Sequence, residues 1–518
     1  MRMTTGQTKA SVLFMLCLSI IAASARAEFR VDEATIAEIH AAMKSGELTA
    51  RRLVEMYLDR IAAYDQNGPA INAVILVNPN AITRAEALDE QFARSGLSGI
   101  LHGIPVLLKD NVETADMPTT GGSLALEGYR PKADAFLTRK LREAGAVIIA
   151  KVNLTEFAAS GITKSSLQGQ TLNPYDLTRT PGGSSGGTGA AVAANFGVVG
   201  IGTDTVNSIR SPSSANNLVG IRPTRGLVSR AGIIPFALTQ DIAGPIARRV
   251  EDASRVLDAI AGYDPEDPTT AWSVGRIGSY AGAVDPHGLK EARLGVLRSF
   301  FGAAEIHRDV TRVVNEAIEA MRQMGAEIVE LEADIDTDEL ISEMSVAGYE
   351  LDAHLSVYLS ATGTAVGSLS DVLASGKYEP MLEGLYRRAL TRSLEEPEYG
   401  VRLQARLDLR DKVMKLMADH RLDALVYPHQ KRLVVPLGED QVDRNGVLGA
   451  ITGFPAITVP AGFSPKTASA PLGVPIGVEF LGRPFTEPVL IRLASAFEQS
   501  TGHRHAPAST PPLMQQEP

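Results

Sequence analysis

Cysteine is almost absent. The 518 residues contain one, Cys17, and one tryptophan, and aromatic residues make up 5% of the chain. A disulfide framework, a thiolate metal site and a cysteine nucleophile are excluded together once Cys17 is set aside. Clustered positive charge is absent too. There is no Lys/Arg run and no stripe of aromatic and basic residues, and the formal net charge is −10. That excludes the electrostatic footprint of a nucleic-acid binder. The nine histidines show no H-E-x-x-H or other metal-ligand spacing.

Long apolar runs are scarce as well. The one that stands out, Ser11 to Ala25, is shorter than the roughly 20 residues a bilayer span needs. It follows basic Arg2 and Lys9, precedes the first acid at Glu28, and ends in Ala25-Arg26-Ala27. This is the pattern of a cleaved secretory signal over residues 1–27. An uncut membrane anchor is the competing reading, and the A-x-A site argues against it. Removing 1–27 takes away Arg2, Lys9 and Arg26 and no acid, so the net charge moves from −10 to −13. Cys17 is lost with it. The mature chain is expected to be exported, to the periplasm or the medium, with no stable membrane anchor.

The full chain has 44% hydrophobic residues, enough for a large core. Short apolar runs at 73–77, 106–108, 147–150 and 198–201 read as strands. They alternate with helical patterns near 33–45, 49–64, 80–95, 134–144 and 190–195. Such alternation implies an α/β fold with a large mixed, mostly parallel central sheet covered by helices. The stretch 300–420 is dominated by helical periodicity, apart from a strand near 326–331, and is read as a helical cover. Strand patterns return at 424–427, 456–459 and 476–481. The Pro/Ser/Gln-rich tail 506–518 is expected to be disordered. Residues 28–505 are therefore read as one domain.

Three segments carry candidate chemistry. Lys109 closes the apolar strand Val106–Leu108, where side chains face the crevice at a strand's carboxyl end. A lysine there is a base or a salt-bridged residue, and Asp110 is a ready partner for the second role. Pro181-Gly182-Gly183-Ser184-Ser185-Gly186-Gly187 strips bulk from around two hydroxyls. Such a loop also suits a phosphate, but the Gly-Lys-Ser/Thr of a phosphate-binding loop is missing. The third segment is Gly202 to Arg210. After a strand, Ser208 and the N–H groups before it can point into one space, as an oxyanion hole requires. His102 is the histidine closest to these segments and is read as structural. A hydrolase without His, Cys or metal needs another base, and a neutral lysine acting through a second serine is what remains.

Together these segments resemble the signature of the amidase-signature family. The G-x-P-h-x-x-K-D pattern, where h is apolar, matches Gly103 to Asp110. The G-G-S-S-G-G loop holds Ser184, and Ser208 precedes Ile209-Arg210. The spacings, 75 residues from Lys109 to Ser184 and 24 from Ser184 to Ser208, are similar to the family's. Lys151 to Phe157, Val219 to Thr224, Asp241 to Pro245, Gly453 to Pro460 and Pro475 to Arg483 extend the resemblance over about 30–265 and 420–500. The family commonly has Gly-Gly before the nucleophile, where this chain has Val206-Asn207. That departure is expected to narrow the acyl pocket or to add a polar contact.

The resemblance implies a Ser–cis-Ser–Lys triad of Ser208, Ser184 and Lys109. It further implies an oxyanion hole from the N–H groups of Thr205, Val206, Asn207 and Ser208, and hydrolysis of an amide C–N bond through an acyl-enzyme. No cofactor or metal is called for, and the expected partner is a small-molecule amide. The alternatives are a carbamate or ester hydrolase, an inactive binding protein using the old cleft, and an amidotransferase-like subunit. The complete triad argues against the inactive protein, and the signal-like N-terminus against the amidotransferase.

Overall fold

A computed structural model describes residues 29–513; the expected signal segment, with Cys17, lies outside them. Eleven strands form one sheet and two form a small hairpin. In chain order they are β1 (Val74–Val77), β2 (Pro105–Lys109), β3 (Val147–Val152), hairpin strands β4 (Lys164–Ser165) and β5 (Gly169–Gln170), β6 (Val199–Asp204), β7 (Val219–Arg222), β8 (Ile242–Ala247), β9 (Arg293–Leu297), β10 (Glu327–Leu331), β11 (Ala424–Pro428), β12 (Ala456–Phe463) and β13 (Pro475–Leu481). The sheet order is β1-β3-β2-β6-β8-β7-β12-β13-β11-β9-β10.

The expected large mixed sheet with covering helices is what forms. Parallel pairing is concentrated in two blocks, β3-β2-β6 and β11-β9-β10. The mostly parallel expectation holds within these blocks and gives way between them, where β8, β7, β12 and β13 pair antiparallel. Every residue of β2, β3, β6, β7, β8, β11 and β13 is buried. Continuous apolar runs are what strands covered on both faces need.

The period-2 alternation of β13 shows the two layers. Gly477 lies against Ser214 of the helix Arg210–Ala215 on one face, and Phe480 meets Phe497 of the helix Glu487–Thr501 edge-on on the other. The helix Gly186–Ala193 shares the face of Gly200, whose missing side chain leaves room for Thr188. Three glycines in that eight-residue helix, each costing about 1 kcal/mol against alanine, permit the close approach. A Cβ on Gly187 would sit 2.1 Å from the carbonyl oxygen of Asn153.

Two boundaries differ from the sequence reading. The helix Arg308–Gln323 buries Val310, Val314, Ile318 and Met321 against the sheet, and β10 belongs to it. The cover is therefore narrower than 300–420. It consists of the helices Ala347–Thr362, Leu369–Ser375, Glu383–Ala389 and Pro397–Asp419. The first three share a separate apolar cluster with Phe157 and Phe236 from the site side. The start of the tail is also ordered. Arg60 donates to the carbonyls of Thr510 and Pro511, Tyr64 donates to Pro511, and Ser509 donates to Pro174. The expectation of disorder from residue 506 is corrected for 506–513; residues 514–518 lie outside the described chain. Among the described residues no helix is long and apolar enough to cross a membrane.

Candidate active site

Neighbouring parallel strands β2 and β6 end side by side, carrying Lys109 and the Thr203-Asp204 pair to one edge of the sheet. That edge is where open α/β sheets place ligands. Lys109 is fully buried there. Its Nζ donates to Ser184 Oγ at 2.8 Å and to Thr203 Oγ1 at 2.8 Å. Asn111 Nδ2 donates to the same Thr203 oxygen at 3.0 Å. Burial lowers the Lys109 pKa to about 7, against a smaller upward pull from Asp204 and Asp241. Desolvation penalises the charged form, so a neutral lysine is accessible near neutral pH.

Asp110 does not neutralise Lys109. Its carboxylate pairs with Lys151 at 3.0 Å and takes the N–H of Thr120. The salt-bridged reading of Lys109 is thereby removed. His102 lies at the amino end of β2, away from Lys109, with Ser98 bonded to its Nδ1 at 2.8 Å. Its structural reading stands.

Ser184 follows a cis Gly183–Ser184 peptide bond. The loop is held by Thr163, whose hydroxyl donates to Gly182 O at 2.7 Å and accepts from Gly186 N at 2.9 Å. Gly183 must be glycine, since a Cβ would stand 2.6 Å from the backbone carbon of Gly161. Ser208 lies in the turn between β6 and the helix Arg210–Ala215. Thr205, Val206, Asn207 and Ser208 all line a cavity of about 430 Å³ beneath the cover. Within the described chain no acceptor takes the backbone N–H of any of these four residues. Free N–H groups on residues that line a cavity are what a developing oxyanion can use. Lys109 and Ser184 are joined by a hydrogen bond at the carboxyl end of β2, and Thr205 to Ser208 follow the neighbouring end of β6. Val206-Asn207 does face the cavity, and the Asn207 Nδ2 has no hydrogen-bond partner among the described residues.

Sequence reasoning missed the charge network that holds this turn. Asp204 accepts from Ile209 N at 3.1 Å, from Arg210 Nε at 3.1 Å and from Arg222 Nη1 at 2.6 Å. Arg210 also reaches Glu479 at 2.5 Å and the carbonyl of Val206 at 2.8 Å. Glu479 continues to His429 Nδ1 at 2.6 Å. Asp204, Arg210, Arg222 and Glu479 are fully buried. Burial by itself pushes the Asp204 carboxyl up; Arg210 and Arg222 override it and hold the group well below the usual carboxylate range. Opposite charges spaced around apolar runs were the available signal, but nothing in the sequence says which ones meet.

Removing one member of a buried charge set leaves the others uncompensated. Asp204→Ala should therefore destabilise the fold by about 3–5 kcal/mol, measured by urea unfolding. A loss below about 1 kcal/mol would mean the network contributes little to this turn.

Thr205 is fixed on its other side. Its hydroxyl donates to Asp241 at 2.6 Å, and Gln240 Nε2 donates to its carbonyl at 3.0 Å. Gln240 Oε1 in turn accepts from Arg406 at 2.7 Å and from the Val346 N–H at 3.1 Å. The cover is thereby tied to the turn that carries the free N–H groups.

Known proteins are similar to this chain in sequence and fold. The peptide amidase of Stenotrophomonas maltophilia has 39% sequence identity, with a TM-score of 0.83 over 92% of this chain and 98% of that one. A probable amidase of Arabidopsis thaliana is 37% identical over 92% of both chains. One subunit of the glutamyl-tRNA(Gln) amidotransferase of Gloeobacter violaceus is 35% identical, covering 92% of this chain and 98% of that protein. The family model described as Amidase matches residues 52–491. A match of that extent, with relatives this similar along nearly the whole chain, shows that the protein belongs to the amidase-signature family of hydrolases.

Proposed function

We propose that the protein hydrolyses carboxylic amides through an acyl-enzyme on Ser208, giving an acid plus ammonia or an amine. The observation that carries this reading is the buried Lys109 held 2.8 Å from Ser184 Oγ with no carboxylate paired to it. Neutral Lys109 takes the Ser184 proton, and Ser184 takes that of Ser208. Ser208 Oγ then attacks the carbonyl carbon, and the N–H groups of residues 205–208 hold the oxyanion. Each such donor is worth roughly 10²–10³ in rate. The proton passes back through the relay to the leaving nitrogen as the C–N bond breaks. Water, activated by the same relay, releases the acid and regenerates Ser208. No step calls on a metal or cofactor.

The peptide amidase and the amidotransferase mark the two activities to separate. Purified protein assayed alone against primary amides, nitroanilides, carbamates and esters should release product from amides without a partner protein. Turnover of esters or carbamates alone, or ammonia release only when a second protein is added, would overturn the reading.

Export is proposed on the N-terminal sequence alone, with cleavage after Ala27. Intact-mass analysis of protein from an exporting host should give a chain starting at Glu28 and carrying no thiol. Retention of residues 1–27 would refute this.

A further inference from the structure

The cavity beside Ser208 has an uneven charge lining. Arg388, Arg392, Arg402 and Arg444 line it, and no aspartate or glutamate does, although the chain as a whole is acidic. Two of the four are already committed. Arg392 pairs with Glu396 and Arg402 with Glu398, and both stack over Tyr349, at 4.8 and 5.5 Å from its ring centre. Arg388 is on the exposed rim.

Arg444 is different. Its Nε is buried and has no hydrogen-bond partner, and no carboxylate of the described chain forms an ion pair with it. Burial pushes the guanidinium down, with Asp440 pulling it back, yet an arginine stays charged at any working pH. Arg444 lies at the reacting end of the cavity. Its Nη1 is 3.7 Å from the Cβ position of Gly161, and Gly161 packs against Gly183, next to Ser184. Two residues on, Gly446 packs against the Asn207 side chain, 2.9 Å from its Cβ to an ideal Cβ. Asn207 Nδ2 is the second buried donor in this cavity without a partner.

Unpaired buried donors are costly, and a partly buried charge without a counter-ion adds to that cost. Two of them facing one cavity beside the nucleophile call for an acceptor that arrives with the ligand. A planar guanidinium matches a carboxylate's two oxygens, and an amide N–H beside it can serve the same anion. We propose that Arg444 and Asn207 hold a carboxylate of the substrate, so that the enzyme selects amides bearing a carboxylate near the scissile bond. This rests on the amidase reading above and narrows it to a substrate class. It also gives Val206-Asn207, in place of the family's Gly-Gly, a use: Asn207 supplies a side-chain donor that glycine lacks.

The test compares matched amides with and without the charge. Succinamate against butyramide places the carboxylate on the acid side; hippurate against N-ethylbenzamide places it on the amine side. In at least one pair kcat/KM should favour the carboxylate by about ten- to a hundredfold. Arg444→Gln should erase that ratio, and Asn207→Gly should reduce it. Succinate should also bind the wild-type enzyme in calorimetry and compete with a neutral amide substrate, a measurement that does not depend on any variant folding. If no amide is turned over, the amidase reading fails, and succinate binding alone decides this inference. Neutral amides preferred in both pairs, a ratio unchanged in folded Arg444→Gln, or no succinate binding would each overturn it.

Discussion

Ser208→Ala abolishes amide turnover, lowering kcat by roughly 10⁴–10⁶ as loss of a nucleophile does in other serine hydrolases. Ser184→Ala and Lys109→Ala each cost several orders of magnitude, and the Lys109→Ala/Ser184→Ala double variant is little slower than the worse single. The reason is geometric. In the proposed relay Lys109 acts on Ser208 through Ser184, to which it donates at 2.8 Å, so removing either link breaks the same proton path. Groups that act as one unit are far from additive. Steady-state kinetics on the four variants checks this. Independent, multiplying effects would show that Lys109 and Ser184 do separate jobs, and near wild-type rates in Ser208→Ala would remove the nucleophile assignment. Ser208 lies in a turn outside the Lys109–Ser184–Thr203 contacts, so its alanine variant should fold as the parent does.

The second large effect is on pH dependence. In the proposed relay the active form of Lys109 is the neutral one, and burial lowers its pKa to about 7. The acid limb of kcat/KM should therefore rise tenfold per pH unit below about 7 and level off above it. The sign follows from the base's role: protonation at low pH removes the acceptor for the Ser184 proton. Lys109→Arg should destroy activity, because arginine keeps the charge and does not deprotonate at working pH. His102→Gln should leave the acid limb in place, since His102 is engaged with Ser98 at the other end of β2. Retention of most of the rate in Lys109→Arg would make Lys109 an electrostatic or structural residue. A lost acid limb in His102→Gln would move the base to the histidine.

The parts of this site that were legible in the sequence are those written in local pattern. Lys109 ends a run of buried aliphatics, Ser184 is enclosed by glycines, and Ser208 follows a strand by four residues. Each pattern is a short-range consequence of backbone geometry, and their spacing supplied the rest. The partners that tune them are another matter. Thr203 contacts Lys109 across 94 residues, and Arg210 meets Glu479 across 269. Nothing local marks a threonine as a lysine's acceptor or one buried glutamate as the mate of one buried arginine. Asp110 shows the reverse hazard: adjacency suggested it as the partner of Lys109, but it lies in the turn just past β2, and its carboxylate meets Lys151 instead.

The fold shows the same limit. A strand buried on both faces has an apolar run whether its neighbours are parallel or antiparallel, so the antiparallel centre of the sheet left no mark. Val310, Val314, Ile318 and Met321 form one apolar stripe, which suits a helix on the sheet as well as one in the cover. The tail was misread because its anchors are backbone carbonyls, those of Thr510 and Pro511 held by Arg60, and acceptors of that kind have no compositional signal.

The central claim is that Ser208 forms the covalent intermediate. The most direct measurement is reaction with a fluorophosphonate, followed by digestion and mass mapping of the adduct. The account predicts one stoichiometric adduct, on Ser208, formed faster as pH rises through about 7, and none in Ser208→Ala. An adduct on Ser184 or elsewhere, or undiminished labelling of Ser208→Ala, would contradict it.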